Sequence, residues 1–213
     1  MENALLKKLA DKTLSKNELR QKVEQDFSLL PMLLNGVSSQ KAAIRYGCAK
    51  ILMDLSAEHP AKLYPHMDTF MALLGSKYRI LTWNAMAILA NLAKVDKEQK
   101  FDAIFDRYYS YLNDQYMVTV ANVVGNSGKI ALAKPHLVPK ITEKLLTVEN
   151  LSVTPHLTDE CKRVIAQAAI KSFDVFFDKV EQKEKVLAFV EKQLNTSRRS
   201  LRIQAESFLK KWR

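Results

Sequence analysis

Residues 44–52, IRYGCAKIL, and residues 201–209, LRIQAESFL, carry one order of side chains: apolar, Arg, two variable positions, small, three variable positions, large apolar. The residues are Ile44, Arg45, Cys48 and Leu52 in the first stretch, and Leu201, Arg202, Ala205 and Leu209 in the second. Positions three and four apart share one face of an α-helix, so the apolar, small and large residues form a buried stripe with the arginine at its margin. A small residue in such a stripe lets a second helix come close.

Working outward, LTWNAMAIL at 81–89 fits with Thr82 in place of the arginine, and KRVIAQAAI at 162–170 fits with Lys162 ahead of Arg163. VTVANVVGN at 118–126 completes the series imperfectly, with Asn122 and Asn126 on the stripe. The starts at 44, 81, 118, 162 and 201 are 37, 37, 44 and 39 residues apart. A period of this length marks stacked helical units. Upstream of three of these helices lies a shorter segment with a proline: Leu30-Pro31, Tyr64-Pro65 and Val138-Pro139. A proline inside a helix removes one backbone bond and bends it, at about 3 kcal/mol unless packing compensates.

These motifs resemble the HEAT-repeat family, in which a kinked first helix and a straighter second helix form a hairpin, and hairpins stack. The resemblance implies an all-α, right-handed α-solenoid of about five HEAT-like hairpins in a single domain. Their expected bounds are 28–58, 60–94, 97–131, 134–178 and 182–213, behind a cap helix at 1–26. The hairpin at 97–131 departs most, since it lacks the proline. The hairpin at 134–178 carries an insertion from Thr147 to His156 whose Asn, Ser, Thr and Pro residues read as a loop. Stability in such a stack comes from nearest-neighbour contacts, and second helices line a concave wall, the expected place for a ligand.

Composition agrees with a folded helical chain. Of 213 residues 47% are hydrophobic and 26% charged, Gly numbers only 5, and good helix formers fill most windows. The longest apolar runs, Ile88 to Ala93 and Val164 to Ile170, fall well short of the roughly 20 residues needed to cross a bilayer. Residues 1 to 16 read as a polar amphipathic helix rather than a secretory signal, so a cytoplasmic location is expected. Cys48 and Cys161 both sit in apolar helical patterns, where a free thiol behaves as a small hydrophobe.

No pattern of catalytic residues emerges. His59, His66, His136 and His156 are scattered without a second ligand at metal spacing. Neither a nucleophile elbow nor a glycine-rich phosphate loop occurs. The expectation is therefore a non-catalytic chain with no metal and no cofactor.

Net charge is +10, with 15 Lys+Arg against 12 Asp+Glu over residues 1–106 and 18 against 11 over 107–213. Between residues 192 and 213 seven cations face only Glu206. The candidate partner-binding residues follow from this distribution. Arg198, Arg199 and Arg202 form a cluster on the last second helix. Lys41 and Arg45, one turn apart, and Lys162 with Arg163 extend it as a positive strip. Asn84, beside Trp83, and the pair Asn122 and Asn126 are polar interruptions of apolar helices, and a buried amide without a partner costs about 1–3 kcal/mol. Phe101, Phe105, Tyr108 and Leu112 share a stripe and read as core, leaving Tyr109 or Tyr111 near solvent.

The leading expectation is a protein-interaction scaffold that holds an acidic or extended partner segment along the concave wall. Nucleic-acid binding through a basic wall is the alternative that the charge supports. Some alkylpurine DNA glycosylases are also small basic proteins of HEAT-like repeats, similar to this chain in size and charge. Their chemistry needs a Trp and a carboxylate together on the concave wall, whereas Trp83 and Trp212 fall on different hairpins.

Overall fold

In the computed structural model, which describes residues 4–213, every motif-bearing segment lies on a long helix. The chain divides into two compact units, residues 1–100 and 101–213. Among the described residues the extended backbone pairs only in the isolated bridge Thr154–Leu157, so the chain is all-α as expected.

The first unit contains α1 (Ala4–Ala10), α2 (Lys16–Gln25), α3 (Leu30–Gly36), α4 (Ala42–Glu58), α5 (Pro60–Leu63), α6 (Met67–Leu73) and α7 (Arg79–Leu92). Helices α1, α2 and α3 lean on α4, which packs against α7. The motif explains that contact. Ile44, Cys48 and Leu52 on α4 and Leu81, Ala85 and Leu89 on α7 are all buried. The expected single cap helix is instead two, because SKNE at 15–18 is a capping box that starts a new helix. Ser15 N donates to Glu18 Oε2 at 2.8 Å and Glu18 N to Ser15 Oγ at 3.2 Å, so α2 begins there rather than continuing α1. Residues 1–3 of the expected cap lie outside the described residues.

The second unit opens at the boundary with α8 (Lys100–Ser110), followed by α9 (Met117–Ala133), α10 (Val138–Leu146), α11 (Asp159–Phe176), α12 (Lys183–Lys192) and α13 (Arg199–Trp212). Helix α9 packs along α11, and α11 against α13. Aromatic rings fill the space between: Phe173 meets Phe176 and Phe189, and Phe177 meets Phe208 and Trp212. Each buried ring of this kind contributes about 1.5–3 kcal/mol of transfer free energy.

On α9 the register differs by one residue from the sequence expectation. Thr119, Val123 and Ser127 are the buried stripe, while Val118 is exposed and Asn122 half-buried; of the expected positions Asn126 is buried. The correction has a physical cause, because Ser127 is held in the core by its own bonds. Tyr109 Oη donates to Ser127 Oγ at 3.0 Å and Ser127 Oγ donates to Val123 O at 2.9 Å. Tyr109 is therefore buried, its hydroxyl pushed above the usual phenol range by that burial, and Tyr111 is the half-buried ring.

The prolines do not bend helices from inside. Each follows or lies in a short 3-10 turn: Phe27–Leu29 precedes Pro31, Tyr64–His66 contains Pro65, and Pro135–Leu137 precedes Pro139. There the α-helix is only starting, and a missing N–H is an orphan in any case, so the expected penalty is avoided. Helix α8, which lacks a proline, runs unbroken over 11 residues.

Two glycines of α9 separate packing from propensity. A Cβ on Gly125 would meet nothing within 4 Å, whereas one on Gly128 would lie 3.2 Å from Val175 Cβ and 3.3 Å from the Ser172 carbonyl oxygen on α11. Gly125→Ala is expected to stabilise by about 0.5–1 kcal/mol through helix propensity. Gly128→Ala is expected to destabilise by about 1–2 kcal/mol, because the opposing oxygen is backbone and cannot turn away. Urea unfolding of the two variants checks the opposite signs.

Candidate functional site

The starts of the second helices share a device that the sequence pattern does not include. Three residues before four of these five helices begin, a short polar side chain folds the turn back on itself. In the first unit Ser39 Oγ accepts from Lys41 N at 3.2 Å, and Ser76 Oγ from Tyr78 N at 3.1 Å. In the second, Asp114 Oδ1 accepts from Tyr116 N at 2.8 Å and Thr196 Oγ1 from Arg198 N at 3.4 Å. These are local side-chain-to-backbone turns of the kind that precede helices. A search for Ser, Thr or Asp five residues before each stripe would have found them and set the α9 register correctly.

The motif arginine serves the same turn. Arg45 Nη1 donates to the carbonyls of Ser39 at 2.9 Å and Gln40 at 3.3 Å, and Arg202 Nη1 donates to Thr196 O at 3.2 Å. Arg45 is only 6% exposed, its guanidinium 3.7 Å from the Tyr78 ring centroid and 4.7 Å from that of Tyr46. Of the expected partner contacts, Arg45 and Arg202 thus have work inside the fold. Arg45→Ala is expected to lower stability by about 2 kcal/mol, through two charge-assisted bonds and the stacked guanidinium. Arg45→Lys is expected to recover less than half of that loss, because an ammonium cannot stack as a plane or reach both carbonyls. Thermal unfolding of the three proteins tests it.

The remaining candidates, apart from the buried Asn126, fall on the open faces of the second helices or at their ends. In the first unit Lys41 is exposed at the start of α4, and Asn84 is half-buried on α7. Ile80, Trp83, Asn84 and Ala87 make the outward stripe of α7, with Ile80 40% exposed.

In the second unit Val118, Ala121, Asn122 and Gly125 make the corresponding stripe of α9. Asn122 Nδ2 donates to Val118 O at 2.8 Å and Asn126 Nδ2 to Asn122 O at 2.8 Å, so both amides are satisfied one turn back along their own helix.

The basic cluster near the chain end is largely neutralised within its unit. Arg198 pairs with Glu160, which also accepts from Arg163 at 3.0 Å, and these two bonds hold the Glu160 carboxyl below the usual range. Lys211 Nζ and Trp212 Nε1 both donate to Asp174 Oδ1, at 2.8 and 2.7 Å, and Arg213 pairs with Glu191. Gln167 ties α11 to the start of α13, giving Nε2 to Ser200 O at 3.2 Å and accepting from Arg198 Nε at 3.3 Å. Arg199 remains exposed.

Among the solved structures the chain is similar to a designed armadillo repeat protein, YIII(Dq)4CqI, with a TM-score of 0.65 and 19% identity over 96% of this chain and 90% of that one. The fold is an ARM/HEAT-like α-solenoid. No family model and no curated protein sequence matches the chain. Within that solenoid the insertion at 147–156 acts as a strap on the start of α9. Thr154 Oγ1 donates to Gln115 O at 2.8 Å, Met117 N donates to His156 O at 3.2 Å, and the His156 ring stacks on Tyr116 at 4.3 Å.

Other titratable groups gather where the sequence separates them. Glu24, Glu58 and His59 bring ligand atoms within 4.8 Å of one another. Arg20 sits in that cluster, 2.9 Å from Glu58 and 3.6 Å from Glu24, and supplies the positive charge the carboxylates need. Cys48 is buried and its thiol pushed up to about 12, whereas Cys161 is half-buried in the first turn of α11, accepting from Thr158 Oγ1 at 3.3 Å. No helix of the described residues is long and apolar enough to cross a membrane.

Proposed function

We propose that this chain is a non-catalytic protein-interaction scaffold whose second helices hold an extended segment of a partner protein. The observation that carries the reading is the outward stripe of α9. Val118, Ala121, Asn122 and Gly125 keep it low and partly apolar, and a Cβ at Gly125 would meet only open space. A backbone can approach such a surface closely, and repeat solenoids commonly bind partners on their second-helix faces. Pairing of Arg198, Lys192 and Lys211 with acids of their own unit leaves fewer cations for a phosphate backbone, and so favours a protein partner.

The test is photo-crosslinking from position 121 in lysate of the source cells, with and without nuclease, and with and without a second substitution, Gly125→Arg, that blocks the stripe. A nuclease-resistant polypeptide crosslink that Gly125→Arg abolishes supports the reading. Crosslinks only to nucleic acid, or none that depends on position 125, overturn it. Phosphate binding would also reveal itself by a log–log salt slope of about −0.9 per neutralised phosphate.

A further inference from the structure

A cleft of about 320 Å³ opens in the second unit at the turn ends of its last two hairpins. Its apolar side is made by Val148, Ala166 and Phe189, all buried. The charged side holds more groups than the fold consumes. Lys192 pairs with Glu149 at 3.0 Å, and Arg163 turns to Glu160 at 3.0 Å. Asp159 and Lys162 remain, three residues apart on one face of α11, and among the described residues neither side chain has an ion-pair or hydrogen-bond partner.

We propose that this cleft binds a free apolar α-amino acid as its zwitterion. The carboxylate lies on Lys162, the ammonium on Asp159, and the side chain against Val148, Ala166 and Phe189. Two opposite unpaired charges beside one apolar wall call for a ligand that carries both charges on a small apolar body. A residue inside a polypeptide offers neither charge, and a chain terminus offers one. The volume is at the lower end of the roughly 300–1,000 Å³ of small-molecule sites, which suits one residue and not a nucleotide-sized cofactor. Charge-assisted bonds at both ends give orientation as well as affinity. The site is separate from the α9 stripe, so it stands or falls independently of the partner-binding reading.

Isothermal titration of the full chain with L-leucine, N-acetyl-L-leucine and L-leucinamide tests this, with amide chemical shifts to locate the site. Saturable leucine binding that shifts Val148, Ala166 and Phe189 is expected. Each blocked probe should bind about tenfold or more weakly, having lost one charge-assisted contact. Asp159→Asn should then erase the preference for leucine over N-acetyl-leucine, and Lys162→Gln the preference over leucinamide. Both side chains reach solvent, so the variants should unfold at the wild-type temperature. Absence of saturable leucine binding, or equal binding of leucine and either blocked probe to the wild type, overturns the proposal.

Discussion

The Asp102→Asn protein is expected to lose about 2–3 kcal/mol of stability at pH 7, because the buried Lys134 ammonium loses a charged partner. Lys134 is 5% exposed, and its ammonium lies 2.9 Å from Asp102 Oδ2, while His136 Nε2 shares a hydrogen bond with Oδ1. An asparagine keeps the shape and removes the countercharge. Lys134→Met should cost less than half as much, since the methylene stem is replaced by apolar atoms and Asp102 still touches water and His136.

The pH dependence has a definite sign. Burial pushes the Asp102 carboxyl up, but the hydrogen bonds and positive charge of His136 and Lys134 outweigh it and hold the group below the usual range. A carboxyl with a depressed folded pKa stabilises above its unfolded value of about 4 and loses that contribution as pH falls through the folded one. Urea midpoints between pH 2 and 6 should therefore fall more steeply for the wild type than for Asp102→Asn. A loss under 1 kcal/mol at pH 7, or parallel acid limbs, would show that the pair carries no weight.

The period, the small residue at the centre of each stripe and the all-helical content were legible because each reflects one helix buried against its neighbour. Cys48, Ala85, Ala166 and Ala205 are all buried where the motif puts them. The α9 register was not legible from apolar pattern alone, because its stripe in fact runs Thr119, Val123, Ser127 and is completed by a tyrosine hydroxyl from α8. Apolarity could not mark a residue made buriable by a partner distant in sequence. The arginines misled for a related reason. Arg45 and Arg202 read as surface charge, yet their reach back to carbonyls six residues earlier is a turn-locking contact that only the folded loop creates. Prolines marked the right places and the wrong geometry, since a 3-10 turn and a helix start accept proline without a bend. For the candidate surface, composition located the cations. It could not say that Glu160, Asp174 and Glu191 answer them across helices.

Gly36→Ala is expected to lower stability by about 2–3 kcal/mol, the range for overfilling a tight core. Gly36 closes α3 against α4, where a Cβ would overlap the Cys48 Sγ and lie 3.2 Å from its Cβ and 3.5 Å from Leu6 Cδ1. The sulfur is fully buried and the Cys48 Cβ is fixed to the α4 backbone, so rotation alone does not relieve the clash and the two helices must separate. Cys48→Ala removes the sulfur and by itself should cost about 1 kcal/mol, as a small cavity does. In the Cys48→Ala background, adding alanine at 36 should cost at least 1 kcal/mol less than in the wild type, because residues in contact couple. The native thiol offers a second readout, since burial keeps it protonated and slow to alkylate until α3 and α4 part. Gly36→Ala should therefore label faster at Cys48 under native conditions, whereas Gly125→Ala, which belongs to the other unit, should not. Strict additivity of the two substitutions, or unchanged labelling, would mean that the close approach of α3 to α4 is not what the small residues at 36 and 48 are there to permit.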